Sequence, residues 1–174
     1  IMTPSNENEC YQMLYTGFRL NQTCAVRYPR GSGIGTSLAN EFSLLPIGKG
    51  TIAAHGDKIA FFAFGSMVQP ALAAAAEIGA TVCDMRFVKP LDIDLIKEIC
   101  TTHQYIVTIE ENVIMGGAGS ACLESMQLMN YTNPVLQLGI PDEFVEHGDP
   151  KVLLSQIGLD KVGILNSLTQ KGWI

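Results

Sequence analysis

The chain has 174 residues, 47% of them apolar and 16% charged, which supports a packed core and excludes a disordered polyelectrolyte. Seventeen acids against eleven bases give a net charge of −6, so the total favours neither nucleic acid nor an anionic membrane as partner. No apolar run reaches the roughly 18 residues of a membrane span.

The sequence opens abruptly at Ile1-Met2-Thr3-Pro4, with no signal-peptide pattern, as expected of a piece of something longer. Ser5 and Asn6 followed by Glu7 and Glu9 signal a helix start, and Tyr11, Met13, Leu14 and Phe18 extend it over 6–20. Residues 24–28 read as a short strand that Pro29 ends. The glycines of 31–35 suggest a flexible boundary, and 36–47 an irregular linker. Charge shifts there too: residues 1–40 carry Arg19, Arg27 and Arg30 against Glu7 and Glu9, and most acids follow.

From Gly48 the pattern becomes regular. Apolar runs 50–55 and 59–64 flank Gly56-Asp57 and predict a hairpin. Helices are expected at 70–79, 92–103 (capped by Asp92), 120–130, 150–157 and 161–171, and strands at 81–87, 105–109 and 134–139. This βαβαβαβ order predicts an α/β fold: a mainly parallel sheet of about five strands, one antiparallel edge strand (50–55), and helices on both faces.

Chemistry-bearing residues are few. Arg27-Tyr28-Pro29-Arg30-Gly31 sets two guanidinium forks beside a glycine, suiting a phosphate or carboxylate clamp; a surface ion pair is the alternative. Alternation turns Arg27 and Tyr28 to opposite faces, so the two arginines need not share a site. Glu110-Glu111-Asn112 precedes the glycine-rich 116–120, which reads either as an anion site at a helix start or as close backbone packing at a domain or subunit contact; the adjacent acids disfavour phosphate. Asp84, Arg86, Lys89, Asp92 and Asp94 surround Pro90 and read as a solvated rim with a helix cap. His55, His103 and His147 lack metal-ligand spacing, and Ser66 lacks the Gly-x-Ser-x-Gly elbow. Cys10, Cys24, Cys83, Cys100 and Cys122 are odd in number without a Cys-x-x-Cys pair, which argues against a zinc or dithiol centre and for a reducing, cytoplasmic setting. Cys83 and Cys100 lie in apolar patterns and are expected in the core.

Several strings occur together in one order: 1–5 (IMTPS), 25–31 (AVRYPRG), 45–50 (LPIGKG), 84–92 (DMRFVKPLD), 110–120 (EENVIMGGAGS) and 138–142 (LGIPD). The set resembles the C-terminal portion of the 1-deoxy-D-xylulose-5-phosphate synthase family, among the transketolase-like thiamine diphosphate enzymes. The resemblance implies that 1–38 end a pyrimidine-binding domain, 39–47 form a linker and 48–174 form a transketolase-like C-terminal domain. It implies a homodimeric enzyme that condenses pyruvate with D-glyceraldehyde 3-phosphate, releasing carbon dioxide, for isoprenoid, thiamine and pyridoxal synthesis. Thiamine diphosphate and magnesium are the implied cofactors. Their sites, and the catalytic residues, lie upstream, so no catalytic, cofactor or metal residue is assigned here and the fragment alone is expected to be inactive. Arg30 corresponds to the arginine that binds the substrate phosphate; Arg27 is a weaker candidate. The turn 116–120 is expected to serve packing. Other readings are a stand-alone α/β binding or dimerisation module, or the β subunit of a 2-oxo-acid dehydrogenase.

Overall fold

A computed structural model describes residues 1–174. Helix α1 (Glu7–Arg19) is capped by Asn6, whose Oδ1 accepts from the Glu9 amide. Strands β1 (Thr51–Ala54), β2 (Ile59–Ala63), β3 (Thr81–Asp84), β4 (Tyr105–Val113) and β5 (Val135–Ile140) form one sheet in the order β1-β3-β2-β4-β5. Helices α2 (Val68–Ile78), α3 (Ile93–Thr102), α4 (Ala118–Leu128), α5 (Pro150–Gln156) and α6 (Lys161–Gln170) complete the chain.

Strand alternation divides the core. Phe61, Val82, Val107 and Ile109 face one side and pack with Ala71, Ala74 and Ala75 of α2 and Ile164 and Leu168 of α6. Phe62, Cys83 and Ile106 face the other and meet Ile96 and Ile99 of α3 and Cys122 and Met126 of α4. The small side chains of α2 bring that helix close to the sheet, and Gly79, left-handed at φ 65°, ends it. Strands β2, β3, β4 and β5 are mutually parallel and β1 is an antiparallel edge, as the element order predicts.

Three expectations are corrected. Strands β1 and β2 do not form a hairpin; β1 pairs with β3, Thr51 opposite Asp84 and Ile52 opposite Cys83. The turn between them is captured by the start of β3: the Gly56 amide donates to Thr81 Oγ1 (2.9 Å), that hydroxyl donates to Gly56 O (2.9 Å), and the Asp57 amide donates to Gly79 O (2.9 Å). Residues 24–28 form a single bridge, Val26 to Met2, because no second strand lies beside them to build a ladder. Strand β3 stops at Asp84 rather than 87, since Arg86 turns into the left-handed region at φ 56°.

Residues 31–47 are irregular, as expected, but are tied to α1. Glu7 accepts from the Gly35 amide (2.6 Å), Asn8 from Ala39 (2.9 Å), Gln12 from Ser43 (2.6 Å) and Thr16 from Leu45 (3.0 Å). Bonds from its own amide and from that of Gly35 hold the Glu7 carboxyl below its ordinary pKa. No helix is long and apolar enough to cross a membrane.

Candidate functional site

Open α/β sheets gather ligands at the carboxyl ends of their strands, where the strand order reverses. Here the reversal falls between β2 and β4. Phe64-Gly65-Ser66 leave β2 at this point, and Glu110 and Glu111 lie near the end of β4.

The chain itself fills the position. Gly65, at φ 60°, lies against Thr3 and Pro4, and an added Cβ would stand 3.5 Å from the Thr3 Cβ. Thr3 and Ser5 are buried, and the Thr3 amide donates to Arg86 O (2.8 Å). Ser66 Oγ donates to Glu111 Oε2, which joins the ends of β2 and β4. Arg27 Nη2 donates to the Glu111 carbonyl (2.6 Å). Arg30 is exposed, and its side chain makes neither hydrogen bond nor ion pair in the structure. The two arginines therefore differ: Arg27 is anchored on a neutral carbonyl, and Arg30 has its whole donor fork free.

The glycine-rich turn enters α4, and its amides already have an anion. Glu110, 5% exposed, accepts from the Ala118 and Gly119 amides at 2.7 Å each. Gly117 has no side chain to cap the helix, and a Cβ there would lie 2.4 Å from Val113 O and 2.5 Å from the Glu110 carboxylate. The turn thus exists for close packing and an internal cap.

The cluster around Pro90 is not uniformly a solvated rim, which corrects the sequence reading. Asp84 and Asp92 are buried. Asp92 caps α3 through the Leu95 amide (3.1 Å), accepts from the Gly50 amide (2.9 Å) and pairs with Lys49 (3.2 Å). Arg86 pairs with Glu9 of α1 at 2.6 Å. Burial pushes the Asp84 carboxyl up to about 6, and the Ser5 hydroxyl only partly offsets it. Asp94 and Lys89 are exposed. His103 hydrogen-bonds Thr81 (2.8 Å), while His55 and His147 are exposed. Burial pushes the Cys83 thiol up to about 12 and that of Cys122 higher still, the opposite of an activated nucleophile.

A diphosphate and its metal ion do not fit the residues of this chain. The one glycine-rich helix start is taken by the Glu110 carboxylate, and no three metal-ligating side chains converge. The grooves are poor as well. A cavity of about 340 Å³ lies between β5 and the last two helices, lined by Gln137, Glu143, Gln156 and Ser167, and it includes neither arginine of the turn.

A sheet of this order, with an antiparallel edge and both faces covered, defines a recognised class of domain. Residues 48–164 match the family "Transketolase, C-terminal domain", and the chain belongs to it. The particular relatives agree with the motif strings. The chain is 56% identical over 171 residues to the 1-deoxy-D-xylulose-5-phosphate synthase of Chromobacterium violaceum, covering 98% of this chain and 28% of that protein. It is 55% identical over 168 residues to the protein of the same name from Nitrosospira multiformis, covering 97% and 27%. The match lies in the C-terminal part of these relatives, so the chain spans just over a quarter of their length. Among solved structures, "Split gene transketolase, inactive beta4 tetramer" superposes with a TM-score of 0.87 at 27% identity, covering 97% of this chain and 56% of that one.

Proposed function

We propose that the chain is the C-terminal part of a thiamine-diphosphate-dependent transferase that condenses pyruvate with D-glyceraldehyde 3-phosphate to 1-deoxy-D-xylulose 5-phosphate and carbon dioxide. The observation that carries this reading is the identity above 50% across almost the whole chain to proteins of that name. In this reading residues 1–38 close a pyrimidine-binding domain, 39–47 link it to the C-terminal domain 48–174, and the full enzyme is a cytoplasmic homodimer. Thiamine diphosphate and magnesium are held upstream, since the residues here do not suit them. The product serves isoprenoid, thiamine and pyridoxal synthesis.

Within this chain the role we assign is to Arg30, as the ligand of the aldehyde's phosphate. A dianion calls for a forked cation with unspent donors, and the Arg30 side chain has no partner. Arg27 contributes at most a secondary contact, because its guanidinium is engaged by Glu111 O. Binding energy gathered on the remote phosphate orients the aldehyde for attack.

The test is steady-state kinetics of the full-length chain, with each substrate varied separately. Loss of a charged phosphate contact costs about 2–4 kcal/mol, so Arg30→Ala should lower kcat/KM for glyceraldehyde 3-phosphate roughly 30- to 1000-fold and leave the apparent affinity for pyruvate unchanged. Unchanged kinetics would remove Arg30 from the site. No deoxyxylulose phosphate from the wild-type full-length chain would overturn the activity.

A further inference from the structure

We infer that Arg27, Glu111 and Ser66 form a strut that positions Arg30 for the substrate phosphate, an inference that rests on the role assigned to Arg30 above. The strut begins inside the sheet. Ser66, just beyond β2, donates to the Glu111 carboxylate in β4, so these neighbouring strands are joined at their carboxyl ends, where the strand order reverses. This bond fixes the backbone at Glu111, whose carbonyl receives Arg27 Nη2 at 2.6 Å. Arg27 is held a second time by its own amide, which donates to Met2 O at 2.8 Å, and Met2 in turn bridges to Phe87. One residue thus has two anchors, one through its side chain and one through its backbone.

From Arg27 to Arg30 the connection is short and stiff. Pro29 fixes its own φ and keeps Tyr28 out of the helical region, so the link has few conformations. Beyond Arg30 the stiffness ends. Gly31, Gly33 and Gly35 follow, two of them at φ 156° and 87°, and the next tether is the Gly35 amide on Glu7. Arg30 is therefore located from the Arg27 side. The choice of a carbonyl as the anchor for Arg27 also matters. A guanidinium paired with a carboxylate would lose its net charge, whereas the Arg27 guanidinium donates to the neutral Glu111 carbonyl, three residues before Arg30. Arg27, Glu111 and Ser66 are positioning residues: they act through Arg30.

The experiment measures kcat and KM of the full-length chain for glyceraldehyde 3-phosphate and for unphosphorylated glyceraldehyde, with Ser66→Ala, Ser66→Thr, Arg27→Met and Arg30→Met. A misplacement of about 1 Å can cost about 100-fold, so a partial displacement of Arg30 should cost on the order of 10-fold. Ser66→Ala should raise KM for the phosphorylated aldehyde by about that factor, with kcat and the unphosphorylated reaction unchanged, and Arg27→Met should raise that KM at least as much. Ser66→Thr, which keeps the hydroxyl, should restore the wild-type value. Equal losses with both aldehydes, or no change in the preference for phosphate, would overturn the strut. If Arg30→Met abolishes that preference while Ser66→Ala and Arg27→Met do not, the strut fails and Arg30 stands. If Arg30→Met leaves the preference intact, the role of Arg30 fails and the strut falls with it.

Discussion

Replacing Glu110 tests whether the structure's internal cap stabilises the fold as its geometry implies. The carboxylate is 5% exposed and takes two amides at 2.7 Å, from the first and second residues of α4. Hydrogen bonds to a charged group contribute about 1.5–3 kcal/mol each, and a buried amide left bare costs a comparable amount. A carboxylate at a helix N-terminus gains up to about 2 kcal/mol more from the helix dipole in a partly buried site. These contributions overlap, so Glu110→Ala should cost about 3–5 kcal/mol. Glu110→Gln keeps one acceptor oxygen and loses the charge, and should cost about 2 kcal/mol. Urea unfolding followed by circular dichroism measures both, provided the slope m is unchanged. A second reading comes from anion rescue. With the side chain removed, two amides at a helix start face an open anion-sized space, so acetate should raise the midpoint of Glu110→Ala and leave that of the wild type alone. A cost below about 1 kcal/mol for Glu110→Ala would refute the internal cap.

Two further outcomes concern stability. The Asp84 carboxyl titrates near 6 in the folded chain against an ordinary value of 3.8, so the native state holds the extra proton. Its contribution is full below about pH 4 and lost as pH rises to about 6, a fall of about 3 kcal/mol; Asp84→Asn should flatten that slope and stabilise the chain at pH 7, as pH-dependent urea midpoints would show. Trp173 is buried and stacks on Tyr105 with ring centres 4.4 Å apart, so Trp173→Ala should cost about 3–5 kcal/mol in the same assay, and a cost under about 1 kcal/mol would refute a structural role for the C-terminal end.

The fold was legible where side-chain periodicity reports burial directly. Phe61 and Phe62 alternate between the two cores, the alanines of α2 mark close helix–sheet contact, and Asp92 announces the start of α3. What periodicity does not carry is which strand lies beside which. Gly56-Asp57 encodes a reversal, and a reversal between apolar runs reads as a hairpin; the partner is chosen by Thr81 and Gly79, some 25 residues away, which bind the turn and steer β1 to β3. The extended run at 24–28 had the residues of a strand and lacked a second neighbour. The tether of 31–47 to α1 left a signal that went unread: Asn8, Gln12 and Thr16 stand four apart, a polar stripe facing backbone that has no ladder of its own.

The candidate site was legible in part, and its missed element shows why. The acids before the glycine-rich turn argue against a phosphate there, and the turn does pack closely, but against Glu110 and Val113 of its own sheet. The step missed was that one of those acids is itself the anion. Glu110 is the one buried charge of β4, eight and nine residues before the amides it binds, and a buried carboxylate must have donors. The same logic applies at the strand-order reversal, where Thr3 and Pro4 lie against Gly65 and the protein's own backbone occupies the usual ligand position. Both places where a sheet of this type takes an anion are thus filled from within. Under the proposed function the substrate phosphate is met instead by Arg30, which is exposed and unpartnered and follows by three residues an arginine bonded to a neutral carbonyl. In that proposal the sheet's part is mechanical: Ser66 joins the end of β2 to Glu111 of β4, and the Glu111 carbonyl holds Arg27 at the start of a short, stiff segment.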